Sequence, residues 1–187
     1  MKALLYSGGL DSTAAWFALG KPKALYVGGR WGSARWANEG ELFALDRQVA
    51  LSAEFAHQLT RKELDFRPFM RKGEYMLPRL EILIMAAWAE GFDGVMVAYT
   101  NEDMPVDHAA NVTARLEKVM PFVFTVKFPF VEIGRPELVK LALDAGAPEP
   151  FLLASHSCVR QSASHCGLCN NCKQRAAALA ACGLETH

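Results

Sequence analysis

Ala3-Leu4-Leu5-Tyr6-Ser7-Gly8-Gly9-Leu10-Asp11-Ser12-Thr13 decides the reading of this chain. Four apolar residues make a short buried strand, and two glycines turn it into the start of a helix. Such a turn is a phosphate cradle. Gly8 and Gly9 let the backbone approach an anion closely, and the amides of the first helical turn point at it. The hydroxyls of Ser7, Ser12 and Thr13 add donors for phosphate oxygens, so Ser7, Gly8, Gly9, Leu10, Asp11, Ser12 and Thr13 form the candidate nucleotide-binding segment. No Gly-Lys-Ser/Thr closes the loop, which excludes the Walker type that grips β- and γ-phosphates with a lysine. Asp11 beside phosphates is repulsive unless Mg²⁺ bridges them or the carboxylate turns back onto helix amides.

Outward from the loop, strands and helices alternate. Ser12 to Leu19 reads as a helix stopped by Gly20, and Ala24 to Val27 as a second buried strand. Gly28 to Gly40, rich in glycine, tryptophan and arginine, reads as a loop over the nucleotide. Glu41 to Leu59 has helical periodicity through Leu42, Leu45, Val49 and Phe55, and Glu63 to Phe66 is a short strand before a basic loop. Pro78 opens a buried helix to Ala89, and Val95 to Tyr99 is a central strand. Asp107 caps a helix to about Met120, Phe122 to Val126 is a fifth strand, and Pro136 to Asp144 is a further helix. This alternation predicts one doubly wound α/β domain over residues 1–187 with a parallel sheet. Ligands of such sheets sit beyond the carboxyl ends of the strands, which gathers Ser7–Ser12, Gly28–Asn38 and Thr100–Asp107 into one site.

The bulk composition narrows the class. The 187 residues are 51% hydrophobic, enough for a real core. Twenty basic and twenty acidic residues cancel. No basic excess remains of the kind that binds the nucleic-acid backbone, so no nucleic-acid partner is expected. The apolar start is too short for a signal peptide, and Leu80 to Ala89 is too short to span a bilayer. A soluble, cytoplasmic protein with no membrane partner is expected. Its apolar content permits a homodimer, the expected assembly.

All five cysteines follow residue 157. Cys158, Cys166, Cys169 and Cys172 form C-x7-C-x2-C-x2-C, with Gly167 at the tight turn. Four thiolates so spaced make a closed tetrahedral Zn²⁺ site that ties residues 155–182 to the domain and leaves no open position for catalysis. Cys182 reads as a packed thiol. A disulfide framework does not suit a cytoplasmic enzyme. An iron–sulfur cluster stays open, because C-x2-C-x2-C also begins the bacterial ferredoxin run. That run continues x3-C-P, whereas Lys173-Gln174-Arg175-Ala176 follows here.

Single residues carry further expectations. Arg79 near a helix start opposes the macrodipole, which points to an anion partner, with a solvated surface arginine the alternative. Asp103 and Asp107 suit Mg²⁺ or a purine edge, with a plain helix cap the alternative for Asp107. Trp31 and Trp36 suit stacking on a base or packing of a glycine-rich lid. His108 suits proton transfer from an incoming amine.

The Ser-Gly-Gly-x-Asp-Ser loop resembles the PP-loop of ATP pyrophosphatases, which implies cleavage of ATP to AMP and pyrophosphate with AMP placed on a substrate oxygen. Loop and tail together resemble the 7-cyano-7-deazaguanine synthases, the QueC family. The tail carries the likeness through Ser157-Cys158 and Cys166-Gly167-Leu168-Cys169-Asn170-Asn171-Cys172-Lys173-Gln174-Arg175. Phe128-Pro129-Phe130 and Arg135-Pro136-Glu137-Leu138-Val139 also look similar, though the family has lysine at Arg135, as does Asn101-Glu102-Asp103. The resemblance implies an adenine nucleotide alpha hydrolase-like fold and an adenylating, ATP-dependent carbon–nitrogen ligase that releases AMP and pyrophosphate or ADP and phosphate. In it, 7-carboxy-7-deazaguanine is adenylated, ammonia displaces AMP, and the amide is adenylated again and eliminated to the nitrile. Asp11, Ser12, Arg79 and Asp103 become the candidate catalytic residues, and Arg79, Asn101, Asp103, Asp107 and Trp31 the candidate substrate contacts. ATP, Mg²⁺ and Zn²⁺ are the implied cofactors.

Departures fall on the substrate side. The family's Asp-Tyr-Gly-Gln is replaced by Gly28-Gly29-Arg30-Trp31, and its Tyr-Pro-Asp-Cys-Arg by Met104-Pro105-Val106-Asp107-His108-Ala109. These changes leave room for a protein amine as acceptor, a conjugating use implied by QueC-like proteins in antiviral gene sets. A tRNA sulfur transferase and a non-catalytic nucleotide-binding module are the remaining readings.

Overall fold

Strand β1 (Lys2–Leu5) turns through Ser7-Gly8-Gly9 into helix α1 (Leu10–Ala18). Gly8 takes φ +76°, the left-handed region that a side chain resists. The computed structural model describes residues 1–31, 34–35, 39–65, 70–71, 74–75, 79–103, 106–118, 124–159 and 164–184. After α1 come β2 (Lys23–Trp31), β3 (Ala34–Arg35), α2 (Glu39–Leu51), α3 (Ala53–Gln58) and β4 (Leu59–Asp65). Then follow β5 (Met70–Arg71), β6 (Glu74–Tyr75), α4 (Arg79–Ala89), β7 (Gly94–Val97) and α5 (Val106–Glu117). The chain ends through β8 (Thr125–Lys127), α6 (Arg135–Asp144), α7 (Glu149–Leu153) and α8 (Asn170–Ala181).

Five strands form a parallel sheet in the order β4-β2-β1-β7-β8. Strand β3 folds back antiparallel on the end of β2, and β5 and β6 make a separate antiparallel pair. Helices cover both faces, so the fold is a doubly wound α/β sheet. Successive residues of β1 go to opposite faces. Leu4 and Tyr6 join a core with Trp16 of α1, Leu138 of α6 and Phe151 of α7, while Ala3 and Leu5 meet Ile84 of α4 and Leu116 of α5. Burial on both faces is why β1 reads as an unbroken apolar run rather than an alternating one. Trp16, Phe55 and Phe151 pack with ring centroids 5.0–5.7 Å apart, fixing α1 against α3 and α7.

Four expectations change. Helix α4, expected to be buried all round, leaves Met85 and Trp88 exposed. The segment from Gly28 to Trp31 is strand rather than loop, because β4 is longer than the sequence suggests and pairs along it (Gly28 with Glu63, Gly29 with Leu64, Arg30 with Asp65). The helix expected over 41–59 is two helices: Ser52 breaks it by accepting a hydrogen bond from the Phe55 amide and capping α3. The fifth strand is Thr125–Lys127, and 121–123 lie outside the described residues. Helix α7 has no counterpart in the sequence reading. Among the described residues, no helix is long and apolar enough to cross a membrane.

Candidate active site and metal centre

The sheet changes direction of growth between β1 and β7, where doubly wound folds open a crevice at the carboxyl ends of the strands. A cavity of about 540 Å³ lies there. Leu25, Val27, Leu80, Leu83 and Val97 make its apolar wall, and Ser7, Gly9, Asp11 and Ser12 its loop side. Asp103 and Arg135 border it, and so do His156, Ser157, Cys158 and Val159 from the tail. The volume and the mixture suit one small organic ligand with a charged end.

The loop is held by its own side chains. Ser12 Oγ accepts from the Ser7 amide at 3.2 Å and donates to the Gly9 carbonyl at 3.1 Å. Ser7 Oγ lies 3.2 Å from Ser12 Oγ and accepts from the Gly9 amide at 3.3 Å. Thr13 turns inward instead: its hydroxyl donates to the Gly9 carbonyl at 2.7 Å and accepts from Gln48 Nε2 at 3.0 Å, beside Tyr6. Burial holds the Tyr6 phenol un-ionised, far above its ordinary pKa.

One guanidinium organises the far side. Arg135 is buried at the first turn of α6 and donates through Nε to Asp11 Oδ1 at 2.6 Å. Its other nitrogens reach Glu102 Oε2 at 3.0 Å and Asp103 Oδ1 at 2.8 Å. Glu102 also accepts from the Arg135 amide, and Asp103 Oδ2 accepts from the amide and hydroxyl of Thr100. Loops after β1, β7 and β8 are thereby tied together. Burial pushes the Asp11 carboxyl up to about 6; Arg135 pulls against that shift, and Asp103 and Glu102 add to it. Burial alone would lower Arg135, but the bond and charge of Asp11, with Asp103 and Glu102, hold it above its ordinary value. Three carboxylates against one cation leave a surplus of negative charge at the cavity.

The metal-ligating cluster closes at the chain's other end. The sulfurs of Cys158, Cys166, Cys169 and Cys172 all lie within 4.8 Å of one another, with Cys166 and Cys172 at 3.9 Å. A tetrahedral ion with metal–sulfur bonds of about 2.3 Å separates its sulfurs by roughly 3.8 Å, so the four fit a single ion. The amides of Cys169 and Leu168 hold the Cys166 thiol down at about 6, and those of Val159 and Cys172 lower Cys169. Burial pushes Cys172 up to about 12, so a cation is what would make it a thiolate. Gly167 takes φ +67° at the turn, as its placement predicts. Cys182 stands apart and donates to the Pro136 carbonyl.

The tail grips the loop directly. The His156 amide donates to the Gly8 carbonyl at 2.8 Å, and Ser157 Oγ accepts from the Leu10 amide at 3.3 Å. Arg175 is buried behind this segment and donates to Ser155 Oγ and the Leu153 carbonyl.

Of the residues picked from sequence, Ser7, Gly9, Asp11, Ser12, Asp103 and Cys158 line the cavity; Gly8, Leu10 and Thr13 support it from behind. Asn101 and Asp107 are exposed and not on the lining. Arg79 opens α4 and Trp31 ends β2, but their side chains lie outside the described residues, as does Trp36 and the side chain of His108. Sequence reasoning missed the roles of Arg135, Glu102 and the His156–Ser157 segment. Arg135 carries a usable signal, an arginine opposing the macrodipole at a helix start, as Arg79 does. Ser157 carries none beyond its place next to Cys158.

The model of the queuosine biosynthesis protein QueC matches residues 82–183, more than half of the chain. The chain belongs to the QueC family. The QueC match spans β7, Arg135 with Glu102 and Asp103, and the cysteine cluster, and leaves the loop of residues 7–13, Asp11 included, outside it. The 7-cyano-7-deazaguanine synthase of Campylobacter hominis is 28% identical over 102 residues, covering 49% of this chain and 45% of that protein, so the match spans under half of the relative's length. Among solved structures, the U34-tRNA thiolase NcsA from Methanococcus maripaludis with its [4Fe-4S] cluster aligns over 95% of this chain and 63% of its own, at 15% identity and TM-score 0.49. A 4-thiouridine synthetase–RNA complex with bound ATP aligns over 93% and 50%, at 18% identity and TM-score 0.49.

Proposed function

We propose that this QueC-family chain uses ATP to adenylate a carboxylate, with 7-carboxy-7-deazaguanine the first candidate, and carries it through the amide to the nitrile. The observation that carries the reading is the cavity at the β1/β7 crevice, which sets an apolar wall against a Ser-Gly-Gly-x-Asp-Ser loop and a charged clamp. A carboxylate is a poor electrophile until its oxygen becomes a leaving group. Transfer of AMP from ATP to that oxygen releases pyrophosphate; attack by ammonia then expels AMP and leaves the amide. A second adenylation, on the amide oxygen, and loss of AMP and protons give the nitrile. No protein nucleophile is needed. In this reading the α1 start faces the phosphates, and Arg135 holds Asp11 and Asp103 at the junction of nucleotide and acid. The surplus carboxylates among Asp11, Glu102 and Asp103 fit Mg²⁺ arriving with ATP, which supplies charge neutralisation for the pyrophosphate.

Zinc is the proposed ion of the cysteine centre. Its sulfurs crowd within 4.8 Å, whereas a four-iron cube puts each cysteine on a different iron and spreads them further. Elemental analysis showing one zinc per chain supports this, and iron with a broad absorbance near ~400 nm sinks it.

The test of function mixes the protein with ATP, Mg²⁺, ammonium and 7-carboxy-7-deazaguanine and reads the products by mass spectrometry. The nitrile with AMP and pyrophosphate is expected, and Asp11→Ala should abolish their release. Accumulation of the adenylate in the presence of ammonium would assign a different amine as acceptor. Absence of AMP would overturn this acid as substrate.

A further inference from the structure

We propose that Ser157, delivered to the loop by the cysteine centre, is a phosphate-binding residue of the nucleotide site. The proposal rests on the nucleotide reading above and deepens it. The loop's own hydroxyls have partners inside the loop. Ser12 donates to the Gly9 carbonyl, Ser7 pairs with Ser12, and Thr13 donates to the Gly9 carbonyl on the core side. Ser157 differs. Its oxygen accepts from the Leu10 amide at the start of α1, and among the described residues its own O–H has no acceptor. It lines the cavity beside Gly9, where a Cβ would stand 3.8 Å from its oxygen. A hydroxyl that accepts from a helix-start amide and keeps its proton for the cavity is set to donate to an anionic oxygen.

Two constraints fix the hydroxyl there. On one side the His156 amide is bonded to the Gly8 carbonyl; on the other, Cys158 belongs to the four-sulfur cluster. Residue 157 is therefore clamped between the loop and the metal centre. The centre's contribution to the nucleotide site is this placement, and it asks for no open coordination position.

The experiment measures binding of α,β-methylene-ATP with Mg²⁺ by titration calorimetry to the metal-loaded protein, alongside metal content and melting temperature. Ser157→Ala should weaken binding roughly tenfold or more, the loss expected for a hydrogen bond to a charged oxygen, with metal content and melting temperature held. Ser157→Thr should bind as the wild type, and Ser157→Val, equal in volume but without the hydroxyl, should bind as Ser157→Ala. Should Ser157→Ala not fold, the Thr/Val pair reads the same contact. Equal binding by Thr and Val variants, or loss of metal from Ser157→Ala, overturns the proposal. A wild type that binds no nucleotide overturns the nucleotide reading itself, and this residue's role with it.

Discussion

The two ends of the chain meet at one cavity and are built by opposite means. Residues 7–13 close upon themselves, with Ser7, Gly9, Ser12 and Thr13 bonded to one another within a single turn. Residues 155–158 bond across the whole molecule, to Gly8 and Leu10. Apart from the bond between Thr13 and Gln48 of α2, the first arrangement joins only residues that are near in sequence. The second exists only after the sheet, α7 and α8 are in place, and it needs the cysteine cluster to hold its far end. A loop that is locally complete is still not a complete site, because part of its lining arrives from about 150 residues away.

The hardest blow to this contrast is removal of the metal centre. Structural zinc supplies about 10–16 kcal/mol of apparent folding free energy in small zinc peptides. Cys169→Ser is the clean variant. Cys169 caps α8 by accepting from the Cys172 amide, and serine is a good cap, so the substitution takes the ligand and leaves the helix start. We expect loss of the metal and rapid proteolysis after residue 155. Hydrogen exchange should quicken at the Leu10 amide while Ala14 and Ala15, buried in α1, stay protected. Loss of protection throughout α1 would mean that the two ends fold as one unit, and the contrast would fail.

Next in size is the clamp that joins the loop to β7 and β8. Arg135→Ala removes a buried cation from between three partly exposed carboxylates, at a cost of about 1–3 kcal/mol. Arg135→Lys restores the charge but not the fork, and should recover only part of this. Urea unfolding of both variants checks the order. Equal stability of the alanine variant and the wild type would remove the clamp from the account.

Asp11 gives an effect of similar size, with a definite sign. Its pKa is about 6 in the folded protein against 3.8 when unperturbed, because burial outweighs Arg135. As pH rises from 4 to 6 the unfolded chain releases this proton first, so Asp11 lowers stability across that window and adds no further change above it. The total is about 3 kcal/mol. Asp11→Asn should therefore gain melting temperature relative to the wild type as pH rises from 4 to 6, and the gap should stay constant beyond. A gap that narrows over that window would reverse the sign.

Legibility in the sequence follows the same division. The β1–loop–α1 unit was readable because its apolar run, glycines and serines act on neighbours a few residues away. The cysteine cluster was readable because metal geometry constrains spacing. Strand β4 was read too short: Leu59-Thr60-Arg61-Lys62-Glu63 lacks an apolar run, and its strand character comes from pairing with β2. The Gly28–Trp31 strand was missed for the same reason, its partner being distant in sequence. The clamp of Arg135 joins residues 11, 102, 103 and 135, and no periodicity or spacing rule reports such a meeting.

Gly40 offers the finest test, because it touches the tail without touching the loop's bonds. In the first turn of α2, a glycine-to-alanine change ordinarily stabilises by up to about 1 kcal/mol. Here a Cβ would stand 2.1 Å from Nε2 of His156, a buried ring stacked on His165. Overpacking of that kind costs about 1–3 kcal/mol, so the sign inverts and Gly40→Ala destabilises. The ring has little room to retreat, because it is buried and stacked on His165, and its main chain is bonded to the Gly8 carbonyl. His156→Ala opens the space, so the double variant should be more stable than the sum of the two single changes predicts, by about 1 kcal/mol or more. Simple additivity in the urea midpoints would show that α2 and the tail do not press on each other. The excess would show that the tail is wedged between α2 and the loop, held on the side that its own sequence does not reveal.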